Sequence, residues 1–171
     1  MEGIKSFVLL EVGFDLTTPN QKRTIGSWLY DAAVEAGLEI IDNRAKDVPC
    51  YLPAYTFVEK LDAISRKYQQ EQEGKQMPEN FIRHYYDIYQ LLGQKSVIDF
   101  IGTKAYREHK ITRFKKSANL DLSNNEAFIL SDRVIREKYS REYLRTQVLY
   151  YGGFPSFDSI LDRIKTYLTR L

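Results

Sequence analysis

The chain has 171 residues and a mass of 20.1 kDa, enough for one domain or two small ones. At 43% hydrophobic residues and a mean hydropathy of −0.44 it can build a core, which excludes a disordered chain, and it lacks the stretch of about 18 uncharged apolar residues that a membrane helix needs. A net charge of +2 gives no whole-chain argument for nucleic acid, and one cysteine with two histidines excludes an internal disulfide and a cysteine zinc cluster.

Ile4 to Val12 is apolar with β-branched residues and reads as a buried strand. Glu11 follows the apolar run at once, with no small-residue cleavage site, so this is a poor signal peptide and a cytoplasmic location is expected. Thr17-Thr18-Pro19-Asn20 carries turn chemistry. Thr24 to Ala36 predicts a helix with Ile25, Trp28, Leu29, Ala32 and Ala33 on one side, stopped by Gly37. Leu38 to Ile41 and Val48 to Leu52 are short candidate strands, the second an edge because of Pro49 and Pro53.

From Thr56 the pattern becomes helical. Thr56-Phe57-Val58-Glu59 has the form of a capping box, and Phe57, Leu61, Ile64 and Tyr68 follow on one face. Gln69 to Gln76 reads as a solvated loop, Pro78 opens a helix to Leu92, and Gly93 ends it. Ser96 to Ile101 and Thr103 to Phe114 predict two helical pieces split by Gly102, and residues 116–125 a loop. Ser131 to Tyr151 predicts a helix without a clean stripe. Ser156 caps a last helix striped by Phe157, Ile160, Leu161, Ile164 and Leu168. The fold class is therefore α+β: a short α/β portion over residues 1–54, then a mainly helical bundle over residues 55–171.

Several charges stand in apolar surroundings. The helix from Glu79 to Leu92 is apolar nearly all round, leaving a narrow strip of Arg83, His84 and Asp87. Spacing alone allows a plain Arg83–Asp87 surface pair at i,i+4 or a polar site on a central helix. Lys60 sits at the edge of its helix's apolar face, either as a snorkelling side chain or as a point charge for a phosphate. Glu11 interrupts an apolar strand, which is expensive unless the carboxylate meets a metal or a base, and Asp15 falls on the same strand face. Between Thr103 and Lys116 stand six basic residues, Lys110 and Arg113 among them, with Tyr106, His109 and Phe114 interleaved. Such a segment is a solvated helix face or an RNA contact.

The runs Leu9-Leu10-Glu11-Val12-Gly13-Phe14-Asp15, Tyr55-Thr56-Phe57-Val58-Glu59-Lys60-Leu61 and Arg83-His84-Tyr85-Tyr86-Asp87-Ile88-Tyr89-Gln90-Leu91-Leu92 occur in that order. His109-Lys110, Arg113-Phe114 and Gly152-Gly153-Phe154-Pro155-Ser156-Phe157 follow. In these the chain resembles the C-terminal part of the AbiEii/AbiGii-type nucleotidyltransferase toxins, relatives of the MenT toxins. The resemblance implies a nucleotidyltransferase fold followed by a helical half. It implies a nucleoside triphosphate bound with Mg2+, nucleotide transfer to tRNA ends, and a cognate antitoxin as partner. Residue by residue, Glu11 resembles the third carboxylate of the magnesium site, Lys60 the helix lysine that contacts the nucleotide, and Asp87 the acid of the helical half. Arg83, His84, Lys110 and Arg113 are candidates for nucleotide or RNA contact.

The family's first motif, Gly-Ser followed by Asp-x-Asp, finds no match upstream of Glu11. Gly26-Ser27 is a decoy, since Asp42 is distant and Arg44 replaces the second acid. The expectation is a C-terminal portion that transfers nucleotides only when that motif is supplied. The alternative is a non-catalytic helical module that binds RNA or the antitoxin.

Overall fold

Two segments of the chain pack separately in the computed structural model, which describes residues 10, 12–15, 17–77, 81–114, 119–150 and 153–171. One unit is Val12–Leu52; the other comprises the described residues from Pro53 to Leu171. The expected strand Ile4 to Val12 lies almost wholly outside the described residues, and Glu11 with it.

The smaller unit is an antiparallel pair, β1 (Asn20–Ile25) and β2 (Ala45–Tyr51), joined through helix α1 (Trp28–Glu35). Thr24 and Ile25 belong to β1 rather than to the predicted helix. Both are β-branched; Ile25 pairs with Ala45 of β2 and Thr24 sits at the register shift between Arg23 and Ile25, a pairing that no local window reveals. The helix starts at Trp28 because the Ser27 side chain accepts from the Tyr30 N–H at 3.1 Å, so the serine of Gly26-Ser27 is spent as a helix cap. Leu38 to Ile41 forms no strand; β1 takes residues 45–51 instead. Pro49 stands opposite Lys22, a place a two-stranded ladder tolerates. Arg44, in place of an acid, binds Asp42 (Nε–Oδ1 2.8 Å) and lies over the Tyr30 ring at 4.4 Å. With Lys46 3.0 Å away as well, Asp42 is held far below the usual carboxylate range, chiefly by its bond to Arg44.

The larger unit begins with α2 (Pro53–Gln72). Pro53, not Thr56, opens it: its fixed φ suits a first turn and its missing N–H is no loss there. Thr56 and Glu59 therefore sit inside the helix and form no capping box. The helix also continues through Gln69 to Gln72 rather than ending in a loop there. Its extension has a partner: the Tyr139 hydroxyl donates to Glu71 Oε2 at 2.5 Å, and Lys138 pairs with the same carboxylate.

Next come α3 (Arg83–Leu91), α4 (Lys95–Phe100) and α5 (Lys104–Arg113). Helix α3 is shorter than the predicted span from Pro78; residues 78–80 lie outside the described residues. Gly102, at φ +80°, separates α4 from α5, and Thr103 caps α5 through its hydroxyl and the Tyr106 N–H. A short α6 (Glu126–Ile129), capped by Asn125, was not legible in the predicted 116–125 loop and its surroundings. Leu130 then takes φ +46°, and Asp132 caps α7 (Arg133–Leu144) by accepting from the N–H groups of Val134 and Ile135. Helix α8 (Phe157–Lys165) starts where predicted, with the Ser156 side chain accepting from the Ser159 N–H at 3.1 Å.

The core gathers Phe57, Leu61 and Ile64 of α2, Tyr85 and Ile88 of α3, Tyr139 and Tyr143 of α7 and Phe157, Ile160 and Ile164 of α8. Helix α3 packs against both α2 and α8. Arg163 of α8 donates to the Tyr89 carbonyl at 3.0 Å and lays its guanidinium 3.8 Å from the Tyr89 ring. It thereby puts a cation at the carbonyl end of α3. Removing the α8 cap with Ser156→Ala is expected to cost about 1 kcal/mol, read from the urea midpoint; an unchanged midpoint would mean the cap contributes nothing.

Candidate functional site

Consecutive residues on α2 face different neighbours. Glu59 turns to α5, where its Oε1 meets His109 Nε2 at 3.0 Å and Arg113 Nε at 2.5 Å. The His109 ring also meets Tyr55 edge-on, with centroids 4.8 Å apart. Lys60 turns to α3, placing Nζ 2.8 Å from Asp87 Oδ2 and 3.3 Å from His84 Nδ1. His84 and Asp87 are three apart on α3, so they share a face, with Nδ1 3.6 Å from Oδ2. Asp87 thus pairs across helices with Lys60, and among the described residues the i,i+4 pair with Arg83 is not formed.

Burial works against the charge of Asp87. The His84 ring and the Lys60 ammonium outweigh it and hold the carboxyl below its usual range. The cleft around the cluster has a volume of about 330 Å³ and is lined by Lys60, Arg83, His84, Asp87, Leu149 and Tyr150. Arg83 is exposed at its rim, while the Lys60 and Asp87 side chains keep 28% and 37% of their surface. An incoming anion can therefore reach the ammonium without unfolding anything.

Four of the seven candidate residues, Lys60, Arg83, His84 and Asp87, come together here. Glu11 lies outside the described residues. Lys110 and Arg113 are not brought to this cleft. Arg113 is engaged by Glu59, and Lys110 is buried, with its ammonium donating to the Leu120 and Leu171 main-chain oxygens. Burial pushes Lys110 down to about 8.

Tyr150 was not singled out in the sequence. It follows the 3-10 turn Gln147–Leu149 and reaches the cleft because its ring lies 4.0 Å from that of Tyr86, tilted by 34°. Its only sequence signal is the tyrosine excess, thirteen in 171 residues.

Among the described residues no three His, Cys, Asp or Glu side chains converge as a metal-ligand set. Asp87, the acid of the cleft, is committed to Lys60 and His84. The described residues therefore do not by themselves fit a magnesium site. Nor is any described helix long and apolar enough to cross a membrane.

A helical unit whose central helix presents a lysine-bound carboxylate in an open cleft does not by itself name a family. The match with known families is more specific. The model of the family described as nucleotidyl transferase AbiEii toxin, type IV toxin–antitoxin system, matches residues 1–163, and the chain belongs to that family. No curated protein and no solved structure matches it. Family membership makes the chain a relative of toxin nucleotidyltransferases and implies an antitoxin as counterpart.

Proposed function

We propose that the Lys60–His84–Asp87 cleft contacts a nucleoside triphosphate during nucleotidyl transfer to an RNA end, tRNA by family resemblance. The observation that carries this reading is the Lys60 ammonium, 2.8 Å from Asp87 and open to the cleft. A lysine in that position lays a compact positive charge on a phosphate. Arg83 at the rim adds a second cation, and the ring of Tyr150 offers an apolar wall to a base or sugar. Asp87 is the positioning residue: it holds the lysine in place before the substrate arrives, so little order is lost on binding.

Transfer needs more than these residues. Glu11, as the family resemblance assigns it, contributes the third carboxylate of a magnesium site whose other two acids belong to the Gly-Ser/Asp-x-Asp motif. The described residues bind and orient. Neutralisation by a cognate antitoxin in the cytoplasm completes the scheme.

The test is binding of each of the four nucleoside triphosphates to the 171-residue chain by calorimetry, with and without Mg2+. One triphosphate is expected to bind, and Lys60→Met to weaken it roughly tenfold or more, as expected for losing a charge-assisted contact. Equal binding by Lys60→Met, or no binding at all, would overturn the reading. RNA binding in the absence of any triphosphate binding would favour the non-catalytic module instead.

A further inference from the structure

The chain has two histidines, and the fold uses them differently. His109 spends Nε2 on the Glu59 carboxylate at 3.0 Å, a tie between α5 and α2. His84 turns its other nitrogen to its neighbours: Nδ1 lies 3.3 Å from the Lys60 ammonium and 3.6 Å from Asp87 Oδ2. Its Nε2 makes no hydrogen bond among the described residues and is not closed off from solvent. The ring lines the cleft with Lys60 and Arg83, and the side chain keeps 21% of its surface.

These distances decide where the ring carries its hydrogen. A lysine ammonium has hydrogens to donate and no lone pair, so beside it Nδ1 has to accept. Toward Asp87 the same nitrogen would have to donate, and 3.6 Å is too long for that. The carboxylate already has the ammonium at 2.8 Å. With Nδ1 accepting, the hydrogen sits on Nε2, because the bond that one ring nitrogen makes fixes the other. An Nε2–H can give a hydrogen bond to a phosphate oxygen. It has no lone pair with which to take the proton of an attacking hydroxyl, as a general base must.

We propose that His84 is a phosphate-binding residue of the cleft, held by Lys60 in the Nε2–H form, so that Nε2 donates to a phosphate oxygen of the bound nucleotide and does not act as a general base. This rests on the reading of the cleft as a triphosphate site and deepens it. Lys60 then does two things: it meets phosphate itself, and it sets the tautomer of its neighbour. The Lys60 ammonium, the Arg83 guanidinium and the His84 Nε2–H give the cleft a set of donors, which a phosphate, rich in acceptor oxygens, matches.

The first measurement needs no ligand. Nitrogen-15 NMR of the imidazole rings in the 171-residue chain separates the two tautomers at a pH of about 8, above the ordinary imidazole range, and His84→Gln identifies the signals. The Nε2–H form is expected in the wild type. Lys60→Met removes the donor, and a hydrogen is expected on Nδ1, which then faces Asp87 alone. A hydrogen on Nδ1 in the wild type overturns the proposal. The second measurement is triphosphate affinity by calorimetry. The glutamine amide nitrogen reaches as far as imidazole Nε2, whereas asparagine reaches only to the Nδ1 position. His84→Asn is therefore expected to weaken binding about tenfold, and His84→Gln to stay within about threefold of the wild type. Circular dichroism verifies that both variants keep the helices. Wild-type affinity in His84→Asn while Lys60→Met binds weakly overturns the contact and leaves the reading of the cleft standing. Equal losses in His84→Asn and His84→Gln mean that the ring and not its Nε2–H makes the contact, and overturn it as well. No triphosphate binding by the wild type overturns both the contact and the reading of the cleft, whichever tautomer is found.

Discussion

Tyr85→Ala is expected to destabilise the helical unit by about 3–5 kcal/mol, the range for truncating a buried aromatic side chain. Tyr85 has no exposed surface and stands where four elements meet. Its ring makes edge contacts with Tyr139 of α7 at 6.0 Å, Phe157 of α8 at 5.3 Å and Phe81 at 5.9 Å. Its hydroxyl donates to the Ala127 carbonyl of α6 at 2.6 Å, and burial pushes the phenol well above its usual value, so it remains a donor at any physiological pH. Tyr85→Phe keeps the ring and leaves that carbonyl without its partner, an expected loss of about 1–2 kcal/mol. Equilibrium denaturation reads both. A loss under about 1 kcal/mol for Tyr85→Ala would mean that the aromatic cluster does not hold α3 in place. The consequence reaches the cleft, since Asp87 is two residues along the same helix.

What the sequence made legible was what local chemistry decides. The stripe of Phe157, Ile160, Leu161 and Ile164 and the cap Ser156 are readable because a helix repeats on a short period and its ends need side-chain acceptors. The Arg83, His84 and Asp87 strip was visible because its neighbours are apolar. The partner of Asp87 was not, because Lys60 lies on another helix and only packing decides which faces meet. Tyr150 was missed for the same reason, as it reaches the cleft through a ring contact with Tyr86 and not through any periodic pattern.

Lys110 shows the opposite failure. In a run of six cations it reads as solvated or as an RNA contact, yet α5 presents Arg107 outward and draws Lys110 inward to the Leu120 and Leu171 oxygens. Thr56 shows a third. Its capping-box spacing was real, but Pro53 had already begun the helix one turn earlier. The same competition moved Thr24 and Ile25 from helix to strand, because pairing with β2 is a long-range gain.

Asp87→Asn is expected to lower nucleotidyl transfer by the active toxin about 10- to 100-fold, with little change in stability. The two effects separate because the pair is half open to water. Exposed ion pairs contribute less than about 1 kcal/mol, so the melting temperature should barely move. The function depends instead on where Lys60 points. With asparagine the ammonium keeps only His84 at 3.3 Å as a neighbour of the original pair and is free to leave the cleft. A positioning role makes a specific demand on the double variant. If Asp87 acts through Lys60, then Lys60→Met/Asp87→Asn loses no more activity than Lys60→Met alone, whereas independent contacts would give losses that multiply. The acid limb supplies a second readout. Asp87 is held below its usual range by His84 and Lys60, so the pair's contribution is complete above the unfolded carboxyl value of about 4 and is lost only as pH falls through the lower folded value. Triphosphate affinity should accordingly show no Asp87-dependent fall between pH 7 and about 5. A fall in that window that vanishes in Asp87→Asn would show that the Lys60 ammonium does not hold the carboxylate in solution as it does in the fold.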